Sequence, residues 1–337
     1  MGKIDFIQFI GTQRSGSNLL RLMLNQHPDI SAHHPPHLLR TFVPLLPCYG
    51  DLSSRGNRRQ LVEDMVAWVQ HNPVPWRLEN FDIERLSQRS SDITDILVGI
   101  YNAMMEQDKA SIFCCKSTFN VFYSSLLERN YKPLYLYLYR DGRDVSVSFK
   151  KAIVGPKHIY SIAEKWHQEQ EESLSIIKTL SPNRYVQVSY EQLIHDPEIV
   201  LKTICKRLGV DYDTRMLEYH VSEESRITAE SGNMWKNVAR PIIKQNQNKF
   251  RNELSDEEIE IFESVAGNSL TILGYQVINT EFRKLSEEEI KSFGEEDVKL
   301  RKVAEQNSDP HDVALRQPQR DLLKFIQKRA KASLIQC

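Results

Sequence analysis

A chain of 337 residues can bury a sizeable core, either as one large α/β domain or as two smaller ones. Its 40% hydrophobic and 26% charged residues are ordinary globular usage, which excludes disordered, collagenous and membrane-embedded classes. Lys plus Arg number 44 against 45 Asp plus Glu, a net charge of -1, so no overall field favours nucleic acid and any anion site must be local.

The chain passes from Met1 through Lys3 and Asp5 without the basic region, apolar core and cleavage site of a signal peptide, and no apolar run approaches a membrane span. Residues 5–10 form a short apolar run ending at Gly11. Leu19, Leu20, Met23 and Leu24 then recur at helical spacing up to His27-Pro28, which predicts strand, loop and helix. Leu61, Met65, Val66 and Val69 mark a second helix, and Ile93, Ile96, Leu97, Ile100 and Met104 a third. Residues 111–115, 132–139 and 184–188 are further strand candidates, each flanked by helical sequence. Near-continuous apolar strands alternating with helices predict an α/β fold: a doubly wound, mainly parallel sheet with helices on both faces. After Gly274-Tyr275 the composition turns charged, acidic over 287–297 and basic over 324–331, dividing the chain into a domain at 1–275 and a charged helical C-terminal extension at 276–337. The five cysteines, Cys48, Cys114, Cys115, Cys205 and Cys337, form an odd set without metal-ligand spacing. They fit a reducing compartment, and a cytoplasmic location is expected.

Between the first strand and first helix lies Gly11-Thr12-Gln13-Arg14-Ser15-Gly16-Ser17-Asn18. A helix N-terminus here offers unpaired N–H groups, and Gly16 lets backbone approach an anion closely. The Gly-Lys-Ser/Thr of magnesium-dependent kinases and ATPases is missing. The loop's cation is Arg14, a planar fork suited to clamping an anion rather than donating a proton. A second constellation follows the 132–139 strand, Arg140-Asp141-Gly142-Arg143-Asp144-Val145-Ser146-Val147-Ser148. It puts Arg140 at a strand's carboxyl end, where ligands bind in open α/β sheets, and Ser148 two turns along the next helix. Arg143 and Asp144 are expected to be surface ion pairs.

Together these segments resemble the sulfotransferase superfamily, especially the tyrosylprotein sulfotransferases and similar bacterial enzymes, whose loop carries Arg where cytosolic sulfotransferases carry Lys. The resemblance implies a P-loop NTPase-like sulfotransferase fold and the donor 3′-phosphoadenosine 5′-phosphosulfate (PAPS), with 3′,5′-bisphosphate product (PAP) and no metal. It implies that Gln13, Arg14, Ser15, Gly16, Ser17 and Asn18 hold the 5′-phosphosulfate, and that Arg140 and Ser148 hold the 3′-phosphate. The likeness continues through residues 184–193, Asp196-Pro197 and Leu208-Gly209, where Tyr190 matches a residue approaching the adenosine. Further on, Ala239-Arg240-Pro241-Ile242 and Lys249-Phe250-Arg251 are similar to the family's cofactor-covering segment, so that Lys249 would contact a donor phosphate. Residues beyond 275 are unmatched.

Sulfuryl transfer requires alignment of the reactants and stabilisation of charge on the departing phosphate oxygen. Arg14 would neutralise the leaving 5′-phosphate. Lys116, ending the 111–115 strand, resembles the family's Lys of that strand end and can stabilise or protonate the bridging oxygen. Tyrosylprotein sulfotransferases place a Glu after the His-Pro-Asp closing the first helix, whereas counting from His27-Pro28-Asp29 lands on His34. Imidazole is competent as a base, and His34 is favoured, with His33 and His37 as alternatives one loop shift away. A zinc site on these histidines is disfavoured because Pro35-Pro36 breaks helical spacing between them. His27 is expected to cap the preceding helix.

The apolar stretch Leu38, Leu39, Phe42, Val43, Pro44, Leu45, Leu46 and Pro47 points to a small hydrophobic acceptor such as a sterol, lipid or phenol. Nothing in the composition opposes a homo-oligomer. Two rival readings are a small-molecule kinase, which would need magnesium, and an inactive nucleotide-binding interaction protein.

Overall fold

The structure is a computed structural model describing residues 5–335, with side chains up to residue 329, so Met1, Lys3 and Cys337 lie outside the described residues. Strand β1 (Phe6–Ile10) is buried at every position, as a central strand covered on both faces must be. After it come α1 (Ser17–Leu24), the two-residue strand β2 (Ile30–Ser31), α2 (Leu38–Phe42), α3 (Arg55–Gln70), α4 (Ile83–Arg89) and α5 (Ile93–Gln107). The middle of the chain runs through β3 (Ile112–Cys115), α6 (Ser124–Asn130), β4 (Leu134–Tyr139), α7 (Gly142–Lys151), α8 (Ile159–Thr179) and β5 (Tyr185–Ser189). Helices complete it: α9 (Tyr190–His195), α10 (Pro197–Leu208), α11 (Glu223–Glu230), α12 (Phe250–Glu253), α13 (Asp256–Ile272), α14 (Glu287–Gln306) and α15 (Pro310–Ile335).

The strands form one parallel sheet in the order β2-β3-β1-β4-β5, with Ile7 opposite both Cys114 and Leu134. Its two faces follow from the period of two along each strand. In β4 the leucines Leu134, Leu136 and Leu138 pack with Ile7, Phe9 and residues of α1 and α10. The alternating Tyr135 and Tyr137 pack with Ile10 and residues of α7, α8 and α13. From β1 the chain crosses toward β2, and from β4 it crosses the other way to β5, so the sheet's switch point lies between β1 and β4. At such a point the loops at the strands' carboxyl ends part and leave a crevice.

Four sequence expectations need correcting. The 132–139 strand begins only at Leu134, because Lys132 has a left-handed φ of 46° and Pro133 has no N–H for the ladder. β2 is absent from the strand candidates, since two residues cannot display a period. Arg143 and Asp144 are buried rather than at the surface: Arg143 bridges Asp141 (2.7 Å) and Glu263 (2.6 Å), and Asp144 accepts from the Phe250 amide (3.0 Å). Leu38, Leu39 and Phe42 are core residues packed against α3 and α5, with Val43, Leu45 and Leu46 against the same cluster, so this stretch is no acceptor lining.

Beyond residue 275 the helices are docked by buried carboxylates. Asp297 of α14 accepts from the amides of Lys157 (2.6 Å) and His158 (2.9 Å) just before α8. Asp312 of α15 accepts from the Asn233 amide (3.3 Å), and farther along Ile326 is buried in the cluster containing α3 while Arg329 pairs with the buried Asp64. Among the described residues, no helix is long and apolar enough to cross a membrane.

Candidate active site

The turn from β1 into α1 depends on two glycines. Gly11 has φ +113°, and a Cβ there would lie 2.2 Å from the Leu138 carbonyl oxygen of the neighbouring strand. Gly16 caps α1 at φ +88°, and a Cβ would lie 2.4 Å from the ring of Tyr190. Arg14 itself has φ +71°, an uncommon conformation for a residue with a side chain, and one that tends to mark functional loops. No side chain caps the N-terminus of α1, its first turn has no acidic residue, and Ser15 Oγ and Asn18 Oδ1 are buried without partners. With no cap and no carboxylate in its first turn, the start of α1 leaves backbone N–H groups free to donate to an anion.

Arg14 Nε donates to Ser148 Oγ (3.0 Å) and Nη2 to the Met234 carbonyl (3.2 Å), which ties the β1 loop to α7. Arg140, at the tip of β4, donates to the Asn246 carbonyl (2.7 Å) and to Asp144 (3.2 Å), and its guanidinium lies 4.3 Å from the Tyr190 ring centre. Its Nε is buried and unpartnered. Burial first, and then the nearby Arg140, pull Arg14 down to about 10.

Lys116 follows β3 and is fixed through the only polar residue of β1. Gln8 Nε2 donates to the carbonyls of Cys115 (3.2 Å) and Ser117 (3.0 Å), on either side of the lysine. Burial first, then Arg21 and Arg14, lower Lys116 to about 7. His34 is buried, with Asn72 Nδ2 at 3.2 Å from its Nδ1 and the ring 4.7 Å edge-on to Trp235. Its Nε2 has no partner. Desolvation, then Lys116 and Arg21, hold its pKa well below the usual histidine value, so the ring is neutral near pH 7. His37 is depressed for the same leading reasons, burial and Lys116, and its Nδ1 meets Ser117 Oγ at 2.8 Å.

A cavity of about 1220 Å³ joins these groups. Gln13, Arg14, Gly16, Ser17 and Asn18 line it, with Arg140, Ser148, Tyr190 and Lys249, and so do Lys116, His34 and His37. Ser15 and His33 do not. Ser15 is buried in the loop, and the His33 Nε2 engages Asp108 at 2.7 Å instead, since successive side chains of this extended segment point opposite ways. His27 ties down the turn after α1 by contacting the Asp211 carbonyl (2.7 Å) and accepting from the Asp29 amide (3.1 Å). The structure adds Trp235 and Arg40, together with Arg301, Lys302, Arg316 and Arg320 from α14 and α15. Residues 316 and 320 are four apart and share a helix face, which sequence spacing could show; what that face meets it could not. Among the described residues there is no group of three or more His, Cys, Asp or Glu arranged to hold a metal ion.

The profile of the Sulfotransferase family matches residues 7–214. Protein-tyrosine sulfotransferase A of Caenorhabditis elegans is 24% identical over 220 residues, 64% of this chain and 52% of that protein. Protein-tyrosine sulfotransferase 2 of Gallus gallus is 23% identical over 215 residues, 62% of this chain and 52% of that protein. The chain thus spans about half the length of these relatives. Among solved structures, the sulfotransferase domain from the curacin biosynthetic pathway covers 82% of this chain and 99% of its own at TM-score 0.52 and 21% identity. That from the Synechococcus PCC 7002 olefin synthase covers 78% and 95% at TM-score 0.51 and 24% identity. These structural likenesses establish a shared α/β fold. With the profile spanning both β1 and β5, and so both arginine-bearing strand tips, this chain belongs to the Sulfotransferase family.

Proposed function

We propose that the protein transfers a sulfuryl group from PAPS to the hydroxyl of a small acceptor. The observation that carries this reading is the meeting of Arg14, Arg140 and Lys116, from the carboxyl ends of three adjacent strands, on one cavity that also holds unpartnered His34 Nε2. Arginines from two neighbouring strand tips suit a nucleotide with phosphates at both its 3′ and 5′ positions. Arg140, with Ser148 and Lys249 nearby, would take the 3′-phosphate, and the loop at residues 13–18 the 5′-phosphosulfate. Tyr190, whose ring contacts both Gly16 and Arg140, would lie along the adenosine.

In the transfer, the acceptor oxygen bonds to sulfur while the bond from sulfur to the bridging phosphate oxygen breaks. The electron pair stays on the phosphate, and the hydroxyl proton passes to His34 Nε2. Desolvation first, and then the surrounding cations, leave this base weak alone; the donor's negative charge offsets the cations and raises its basicity when the reactants are assembled. Lys116, poised near 7, gains its proton as an anion arrives and stabilises charge on the leaving oxygen. A divalent metal has no part in this scheme. His33, paired with Asp108, is left out of the chemistry in favour of His34. The free thiols of Cys48, Cys114, Cys115 and Cys205 suit the reducing conditions of a cytoplasmic enzyme.

The test is a radiolabelled PAPS assay without added metal against a panel of hydroxyl acceptors. Label transfer that ignores chelator supports the reading. Magnesium-dependent transfer from ATP, with PAPS inert, would replace it with a kinase, and tight PAP binding with no transfer to any acceptor would leave a nucleotide-binding protein.

A further inference from the structure

The C-terminal helices contribute charge to the cavity far from the loop that the family profile covers. Arg301 and Lys302 of α14 and Arg316 and Arg320 of α15 all line it, outside residues 7–214. On the whole lining, among the described residues, the only carboxylates are Asp144 and Glu305. Asp144 is committed to Arg140 and to the Phe250 amide, and Glu305 to Arg320 (3.0 Å).

Neighbouring carboxylates do not saturate these cations. Arg316 spends Nη1 on the Asp312 backbone oxygen (2.9 Å) and carboxylate (3.5 Å), and among the described residues its Nε and Nη2 make no hydrogen bond. Arg301 is held by Asp297 (3.1 Å), while Lys302 has no ion-pair partner among the described residues. Arg316 is also close to the candidate base. Its Cζ lies 5.4 Å from the Trp235 ring, and that ring lies 4.7 Å from the ring of His34. Its charge is felt at His34, whose protonation it opposes, and burial makes Arg316 itself easier to deprotonate than usual. Cations concentrated in a concave wall focus a positive potential, and only an arriving anion relieves it. The donor's phosphates are matched by Arg14, Lys116, Arg140 and Lys249. Among the described residues Arg301, Arg316 and Arg320 each meet one carboxylate and Lys302 none, so the excess at α14 and α15 is one positive charge, with the free N–H groups of Arg316 beside it, and this is available to the other substrate.

Resting on the sulfuryl-transfer reading, we propose that α14 and α15 form the acceptor-selecting wall of the site, where Arg316, backed by Lys302 and Arg320, receives a fixed oxyanion carried by the acceptor. The acceptor is then a small molecule with a hydroxyl at His34 and a carboxylate or phosphate about one aromatic ring farther out. Trp235 is the apolar plate between the two ends. This replaces the hydrophobic acceptor that the 38–47 stretch suggested.

The test measures transfer from PAPS to matched acceptors: 4-hydroxyphenylacetate against its methyl ester, and glycerol 3-phosphate against glycerol. Wild-type kcat/KM should favour the charged member of at least one pair by about ten- to a hundredfold, the range of a charge-assisted hydrogen bond, and which pair responds identifies the oxyanion as carboxylate or phosphate. In Arg316→Gln that ratio collapses toward one while PAP affinity stays unchanged. Arg316→Lys restores part of it, and Lys302→Gln, at an exposed position that threatens no folding, lowers it by a smaller factor. Equal use of charged and neutral members, or a ratio untouched in Arg316→Gln, overturns the wall. Should PAP bind but no acceptor be sulfated, the transfer reading fails, and calorimetry of the same compounds on PAP-loaded protein still decides the wall: charge-selective binding lost in Arg316→Gln upholds it, and its absence refutes it.

Discussion

The two sides of the cavity are built by different means. The side formed by residues 11–18, Lys116 and Arg140 hangs from the tips of β3, β1 and β4, which hydrogen bonding holds in fixed register. The opposite wall stands on two helices docked through the buried carboxylates Asp297 and Asp312. A sheet carries its geometry in its backbone, so a cation at a strand tip has a set position once the strand forms. A docked helix is placed by side-chain contacts far apart in sequence. Chemistry that every substrate pair shares can therefore sit on the first side, and selection among acceptors on the second.

The sharpest way to break this division is His34→Ala. Turnover should fall by about 10²- to 10⁴-fold, the usual contribution of a positioned general base, with PAP affinity unchanged by calorimetry. A parallel loss of PAP affinity would move His34 to the donor side. Arg140→Ala should do the reverse, weakening PAP by roughly ten- to a hundredfold while kcat at saturating donor changes little. Unchanged PAP affinity there would remove the two-phosphate model.

A pH titration sharpens the donor side further. Lys116, near 7 in the free protein, should be driven to its ammonium form by bound phosphate, so its folded pKa is higher in the complex. PAP binding then takes up a proton above pH 7. The contribution is complete below 7 and is lost as pH rises, by up to about tenfold in affinity per unit. Below about pH 6, protonation of the phosphates opposes it. Calorimetry in buffers of different ionisation enthalpy reads the uptake directly, and Lys116→Met should abolish it. Uptake that persists in Lys116→Met would assign the proton to another group. The mildest expected effect belongs to the wall: Asp297→Asn should cost about 1 kcal/mol in thermal denaturation, with PAP affinity intact. A large loss of PAP affinity instead would show that the docked helix also shapes the donor side.

Much of the proposed donor side could be read from the chain because its residues sit in two short segments. Strand, glycine turn and helix are local patterns, and Arg14, Gly16, Arg140 and Ser148 fall at places in them that local geometry fixes. The histidines were harder. Which of His33, His34 and His37 faces the cavity depends on the path of a loop whose neighbours, Asn72, Trp76, Asp108 and Ser117, come from distant parts of the sequence. The stretch at 38–47 misled because an apolar residue beside a candidate base looks the same whether it lines a pocket or fills a core; packing against α3 and α5 decided for the core.

By itself, the order of residues determined that β1, β3, β4 and β5 alternate with helices, and that Arg14 and Arg140 follow two of those strands. Both are matters of spacing along a few turns of chain. Only the tertiary structure decided that the charged segment beyond residue 275 closes over the same cavity. Its place depends on Asp297, Asp312 and Ile326 meeting surfaces more than fifty residues away, which no local period can encode.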